Sequence, residues 1–166
     1  MQKLTCAIVA AGALLVADTT TAEITSTTGG GGGTGYLDCS SGTLSQQVLW
    51  PPDHKMVALN IVALDPSWIV TILSIQQDEP INALGSGNTA PDGYIVEGTA
   101  YVRAERAGPG TGRIYFITFS AMDPVTGLTC GPAVPLQAYV PHDQGQGYTP
   151  IYTGHLWDSN SGALIL

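Results

Sequence analysis

The sequence predicts an all-β protein, an antiparallel immunoglobulin-like β-sandwich of about seven strands. Apolar residues recur at every second position through much of residues 44–140. This is the period of a strand half-buried against a core, and the 3.6-residue period of an amphipathic helix is absent. The 166 residues also include 21 Gly and 11 Pro, too many for a helical bundle.

The first 22 residues are predicted to be a secretory signal peptide. Lys3 is the only charged residue before an apolar stretch of small residues, Cys6 to Ala17, which is too short to span a bilayer. Residues 23–35 are rich in Gly, Ser and Thr and are predicted to be a flexible linker. We therefore expect a secreted protein that is extracellular, on the cell surface or periplasmic.

Six apolar runs, separated by turn signals, form the predicted strands of the folded domain, residues 36–146. The runs are Leu44 to Leu49, Val57 to Ala63, Trp68 to Ile75, Ala100 to Ala104, Tyr115 to Ala121 and Val134 to Val140. Pro135 and Pro141 lack a backbone N–H, so the last run is predicted to be an edge strand. Residues 147–166 form a C-terminal tail.

Two cysteines, Cys39 and Cys130, remain after removal of the signal peptide. In an oxidising compartment they most simply form one disulfide, and the alternative is two unpaired buried thiols. Closing so long a loop would contribute about 4–5 kcal/mol in the chain-entropy model. The spacing of Cys and His residues fits no structural zinc site of the usual kind.

Six short motifs follow one another along residues 48–144. They are LWPPDHKM at 49–56, DEP at 78–80, TAPD at 89–92, RAER at 103–106, GRIY at 112–115 and VPHDQ at 140–144. Together they resemble an immunoglobulin-like module of bacterial secreted proteins that is similar to HYR and PKD-type domains. This resemblance implies a sandwich fold, an extracellular location and an accessory or adhesive role, without an established activity.

Polar residues are predicted to meet at one pole of the sandwich, because its strands alternate in direction. The residues that map there are Asp53, His54, Asp78, Glu79, Asp92, Arg103, Glu105, Arg106, Arg113, His142 and Asp143. Both cysteines map to the opposite pole, which is consistent with their pairing. We expect His142 and Arg106 to be partly buried, and buried charges must be paired.

Three interpretations of this polar pole stay open. The first is a structural network in which arginines bind carboxylates and backbone carbonyls and hold loop 80–93. The second is a Ca²⁺ site formed by Asp78, Glu79 and Asp92 with Asn82 or Asn88. The third is a transition-metal site that uses His54 and His142.

The charge balance limits the classes of partner. Lys+Arg is 5 and Asp+Glu is 13, so the net charge of −8 argues against nucleic acid and anionic membrane surfaces. An extracellular protein or a carbohydrate remains, with Tyr148, Tyr152 and Trp157 as surface contacts. Trp50 and Trp68 are predicted to plug the core. The apolar end, Ala163 to Leu166, could instead add to a neighbouring sheet in an assembly of unknown stoichiometry.

A catalytic role is not expected. The sequence contains no GxSxG motif. Asp78 or Glu79 could pair with Asp143 in a carbohydrate-active or metal-dependent hydrolase, but a sandwich of this size rarely provides the cleft. A nearby Arg would also keep a carboxylate ionised, which disfavours a general acid. The sequence therefore predicts a non-catalytic structural or binding module.

Overall fold

The computed structural model describes residues 35–131, 134–144 and 149–166, which belong to one compact unit. These residues form strands and no helix, so the predicted all-β fold is confirmed. The strands are β1 (Thr43–Leu44), β2 (Met56–Leu59), β3 (Ile61–Val62), β4 (Ile69–Gln77), β5 (Gly93–Val96), β6 (Thr99–Arg103), β7 (Gly112–Met122), β8 (Thr129–Cys130), β9 (Leu136–Pro141) and β10 (Trp157–Asp158).

All strand pairs between these elements are antiparallel, and they form two main sheets. One sheet has the order β2-β6-β5. The larger sheet has the order β10-β4-β7, and β8 and β9 pair with different parts of β7. The short pair β1-β3 adjoins the smaller sheet, because β3 follows β2 after a single residue, Asn60. The long strand β7 is therefore the centre of the larger sheet.

The core lies between the inner faces of the two sheets, as the alternating pattern predicts. Ala100 and Val102 on β6 and Ile117 on β7 are completely buried. Ala138 and Val140 on β9 join the same apolar cluster. Because these residues come from both sheets, the sheets are packed face to face as a sandwich.

The predicted disulfide between Cys39 and Cys130 is confirmed. Their Cα atoms are 6.0 Å apart, and the bond closes a separation of 91 residues. Both cysteines pack with Phe119 and Ala121 in a second apolar cluster. The disulfide thus fastens the N-terminal part of the described chain to β8.

The first and last predicted strands differ in detail from the sequence expectation. Only Thr43–Leu44 of the first run pairs as a strand, and Val48 forms an isolated parallel bridge with Tyr139 on β9. Among the named strands β9 pairs with β7 alone, as predicted for an edge strand, and this bridge covers part of its other edge. Strand β5 was also missed, because its four residues directly follow a Gly- and Pro-containing loop.

The C-terminal tail folds back on the domain. Trp157–Asp158 of β10 pairs with Gln76–Gln77 of β4, and Leu164 forms a bridge with Trp157. Trp50 was wrongly predicted as a core residue, because 37% of its surface is exposed. Trp68 does pack against the second apolar cluster, as expected.

The predicted signal peptide and all but the last residue of the predicted linker lie outside the described residues. Tyr148, one of the aromatic residues proposed for surface contacts, also lies outside them. In the part of the chain that is described, no helix is long and apolar enough to cross a membrane.

Candidate functional site

The polar pole is organised around Arg113, the second residue of β7. Its side chain is completely buried, because Arg113 shares the inward alternation of the core residues Tyr115 and Ile117 on β7. Arg113 Nη1 lies 2.5 Å from Asp92 Oδ2, and Nε lies 3.2 Å from Glu79 Oε2. Nη1 also donates to the hydroxyl of Tyr115 at 3.1 Å. We call Gln77, Glu79, Asp92, Arg113 and Tyr115 the buried charge cluster.

Further hydrogen bonds hold the two carboxylates of the buried charge cluster. Glu79 Oε2 accepts a 2.7 Å bond from the backbone N–H of Ala107. Asp92 Oδ2 accepts a 2.8 Å bond from Gln77 Nε2, which also donates to the carbonyl of Glu79. The bonded carboxylate oxygens are therefore engaged with groups of the same chain.

Two opposing effects shift the pKa values of the charged residues in the buried charge cluster: burial, and interaction with neighbouring groups. Burial raises the pKa of Asp92, although Arg113 partly offsets this effect. Burial would lower the pKa of Arg113, but Tyr115 and the carboxylate of Asp92 outweigh it and raise that pKa. Arg113 therefore carries its positive charge inside the sandwich, where the carboxylates compensate it.

Asp78 lies beside the buried charge cluster, and its carboxylate bonds to the backbone. Its Oδ1 accepts a 2.8 Å bond from the backbone N–H of Ile114, whereas its buried Oδ2 has no hydrogen-bond partner among the described residues. The hydroxyl of Thr153, in the tail, donates to the Asp78 carbonyl at 3.0 Å. Burial raises the pKa of Asp78 to about 6.

A second group of polar contacts joins loop 80–92 to the end of β6. Glu105 is completely buried, and its Oε2 lies 3.0 Å from His54 Nδ1. The hydroxyl of Thr89 donates a hydrogen bond to the same oxygen. Arg103 donates to the carbonyls of Pro91 and His54. Each of these contacts connects loop 80–92 or the turn before β2 with Arg103, the last residue of β6, or with Glu105, two residues after it.

Arg103 connects these contacts to the buried charge cluster. Its Nε lies 3.8 Å from Asp92 Oδ1, and its carbonyl accepts a 2.8 Å bond from the hydroxyl of Tyr115. The two groups are therefore parts of one polar layer under the pole.

The remaining residues predicted at the pole lie at its periphery. Asp53 Oδ2 lies 2.5 Å from Lys55 Nζ. His142 Nδ1 lies 3.6 Å from Asp143 Oδ2, and His142 Nε2 lies 3.2 Å from the carbonyl oxygen of Gly108. Arg106, half-buried as expected, donates to the carbonyl of Ala107.

The geometry gives little support to a metal site. No group of three or more His, Cys, Asp or Glu side chains within the described ranges is arranged to hold a metal ion. Of the predicted calcium ligands, Glu79 and Asp92 face Arg113, and Asp78 accepts from a backbone amide. A guanidinium between carboxylates occupies the position that a cation would need.

Sequence reasoning missed several members of the polar layer. Gln77 continues the inward positions of β4 and is completely buried, a signal that was readable at the end of the apolar run. Tyr115 was predicted only as a core residue. Thr153 and Ser159 had no readable signal, because both belong to the irregular tail; the carbonyl of Ser159 accepts hydrogen bonds from the N–H groups of Asp92 and Gly93.

Comparison of the chain with models of protein families, with curated proteins and with solved structures found no match. The resemblance to HYR and PKD-type modules therefore stays a prediction.

Proposed function

We propose that this chain is a secreted, non-catalytic immunoglobulin-like module with an adhesion-type binding role, and that its polar layer is structural. The observation that carries this proposal is the complete burial of Arg113 between Glu79 and Asp92. A buried charge held by two carboxylates stabilises one arrangement of the chain, whereas a catalytic group must reach a substrate. The pairing order β2-β6-β5 opposite β4-β7-β9 supports the immunoglobulin-like assignment.

The secreted location is supported by the Cys39–Cys130 disulfide. Structural disulfides persist in oxidising compartments, where a chain with the N-terminal pattern of a signal peptide would be delivered. The net charge of −8 favours solubility and opposes binding to nucleic acid.

A hydrolysis assay with matched variants tests the proposal. Purified chain is incubated with hexasaccharides of glucose, N-acetylglucosamine, xylose and mannose, and the products are read by mass spectrometry. We expect no cleavage by the wild type, and a lower melting temperature for Glu79→Gln. Cleavage that Glu79→Gln or Asp78→Asn abolishes without lowering the melting temperature would identify a catalytic pole instead.

A second candidate role is assembly through the C-terminal tail. Although this tail pairs with β4, Leu164 and Leu166 are 61% and 69% exposed. Exposed aliphatic residues beside a sheet edge are a common basis of strand addition. Light scattering tests this role: a concentration-dependent oligomer that Leu164→Lys dissociates would support it, and a monomer at all concentrations would not.

A further inference from the structure

An open groove of about 390 Å³ lies beside β9, outside the polar layer. The residues that line it are Val48, Trp50, Tyr139, Pro141, Asp143, Gln144 and Thr149. No residue of the buried charge cluster lines it. The volume falls within the range of about 300–1,000 Å³ that is usual for small-molecule sites.

Backbone pairing explains why aromatic and apolar side chains face outward here. The N–H of Leu49 donates to the carbonyl of Tyr139 at 2.8 Å, and the N–H of Tyr139 donates to the carbonyl of Gln47 at 2.7 Å. Leu49 is completely buried, so the residues before and after it point to the opposite face. As a result Val48 is 53% and Trp50 37% exposed.

The ring of Tyr139 is held in place within this surface. Its hydroxyl donates a 2.6 Å hydrogen bond to Gln137 Oε1. Its backbone is fixed on one side by β7 and on the other by the bridge to Val48. A ligand that contacts Tyr139 would therefore meet a preorganised ring and cost little additional ordering.

The lining combines flat apolar surfaces with hydrogen-bonding groups. Trp50 and Tyr139 supply aromatic rings, and Gln144 and Thr149 supply an amide and a hydroxyl. A pyranose ring has the complementary chemistry, because its C–H face packs on aromatic rings and its hydroxyls bond to polar side chains.

We propose that this groove binds a neutral saccharide, with Trp50 as the main packing surface and Thr149 as a hydrogen-bonding group. The inference deepens the proposed adhesion-type function and rests on it, because a secreted module meets carbohydrates outside the cell. The net charge of −8 does not oppose such a ligand, whereas it opposes anionic ones.

Titrations with the same four hexasaccharides test this proposal, read by calorimetry and by NMR shifts of the protein. We expect saturable binding of at least one of them by the wild type. Trp50→Ala should weaken that binding by about tenfold or more, because it removes the aromatic packing surface. Thr149→Val, which keeps the shape of an exposed side chain, should weaken it by about threefold through loss of one hydrogen bond.

A matched control is Tyr36→Ala. Tyr36 is 89% exposed and does not line the groove; it precedes Leu37, whose N–H donates to the carbonyl of Thr129. Its removal should leave saccharide affinity unchanged. Melting temperatures of all three variants show whether a loss of binding reflects a loss of fold, and Thr149→Val carries the test if Trp50→Ala unfolds.

Two outcomes would overturn the groove as a saccharide site. One is no binding of any hexasaccharide at millimolar concentration. The other is binding that Trp50→Ala and Thr149→Val both leave unchanged. A different result would overturn the proposed function. Cleavage of a bound hexasaccharide would contradict the non-catalytic assignment but would still support the groove as a saccharide site. Absence of binding by a stable, inactive chain would overturn the groove alone.

Discussion

Arg113 Nη1 lies 2.5 Å from Asp92 Oδ2, and both side chains are completely removed from solvent. Arg113 belongs to β7 of the larger sheet, and Asp92 directly precedes β5 of the smaller one. The ion pair therefore joins the two sheets at the pole where loop 80–92 enters the sandwich. Desolvation offsets much of the attraction in such a buried pair. The main effect of the ion pair is therefore to fix the position of loop 80–92.

Replacing Arg113 by Met should strongly destabilise the protein. The substitution leaves Glu79 and Asp92 buried without their cation, which costs about 3–5 kcal/mol. Urea unfolding followed by tryptophan fluorescence measures the change. Arg106→Met is the matched control, because among the described residues Arg106 donates to the carbonyl of Ala107 and pairs with no carboxylate, so it should cost about 1 kcal/mol. Equal costs for the two variants would contradict the central place of Arg113.

The stability of Asp78→Asn relative to the wild type should depend on pH. Burial raises the pKa of Asp78 to about 6, above the value of an unfolded chain, so the folded state holds this proton more tightly. The contribution of Asp78 to stability is therefore fully present below about pH 4 and is lost as the pH rises through about 6.

We expect the free energy of unfolding of Asp78→Asn, minus that of the wild type, to rise by about 2 kcal/mol between pH 4 and pH 7. Denaturant titrations at several pH values measure this difference. A difference that stays constant over this range would show that the carboxyl of Asp78 titrates normally.

Removing the disulfide should destabilise the opposite pole. The Cys39–Cys130 bond closes a separation of 91 residues, so the paired substitution Cys39→Ser with Cys130→Ser should cost about 4–5 kcal/mol in the chain-entropy model. Differential scanning calorimetry of the variant and of the oxidised wild type measures the loss. Addition of a thiol reductant should lower the melting temperature of the wild type and leave the variant unchanged.

Gly112 should tolerate no side chain. Its φ is +116°, and an added Cβ would lie 2.5 Å from the carbonyl oxygen of Val140 on β9. Gly112→Ala should therefore cost at least about 3 kcal/mol, through a close backbone contact and an unfavourable conformation.

Gly127 provides the control for this substitution, because it also has positive φ, +71°, but an added Cβ would meet no described residue within 4 Å apart from its chain neighbours. Gly127→Ala should cost about 1 kcal/mol. Chemical denaturation measures the free energy of unfolding of both variants. The difference separates the cost of the close contact at Gly112 from the cost of placing a side chain at positive φ. A Gly112→Ala variant as stable as Gly127→Ala would be incompatible with the pairing of β7 and β9 described above.

The alternating runs made most of the core predictable. Positions such as Val102, Ile117 and Val140 were identified by period alone, because inward residues of a strand recur at every second position. Trp50 was misassigned because its exposure depends on a bridge between Val48 and Tyr139, which are 91 positions apart in the numbering. Local sequence carries no information on such a pairing.

The location of the polar residues at one pole was predictable, but the contacts between them were not. Strand direction placed the carboxylates and arginines at one end. Arg113 is the completely buried arginine because it shares the inward alternation of Tyr115 and Ile117 on β7. Its carboxylate partners, Glu79 and Asp92, come from just after β4 and just before β5. The calcium hypothesis treated these acids as free ligands, because the sequence does not show which side chain fills the space between them.

The measurement that tests the structural account of the pole most directly is a thermal melt of the full chain in EDTA, followed by melts with added Ca²⁺ or Zn²⁺. The account predicts the same melting temperature in all three conditions, because Arg113 and Arg103 already supply the compensating charges for Glu79 and Asp92. An ion bound at a hundredfold its dissociation constant would raise the melting temperature by about 6–10 °C. A rise of that size with Ca²⁺, abolished by Asp78→Asn, would contradict the account and make the pole a calcium site.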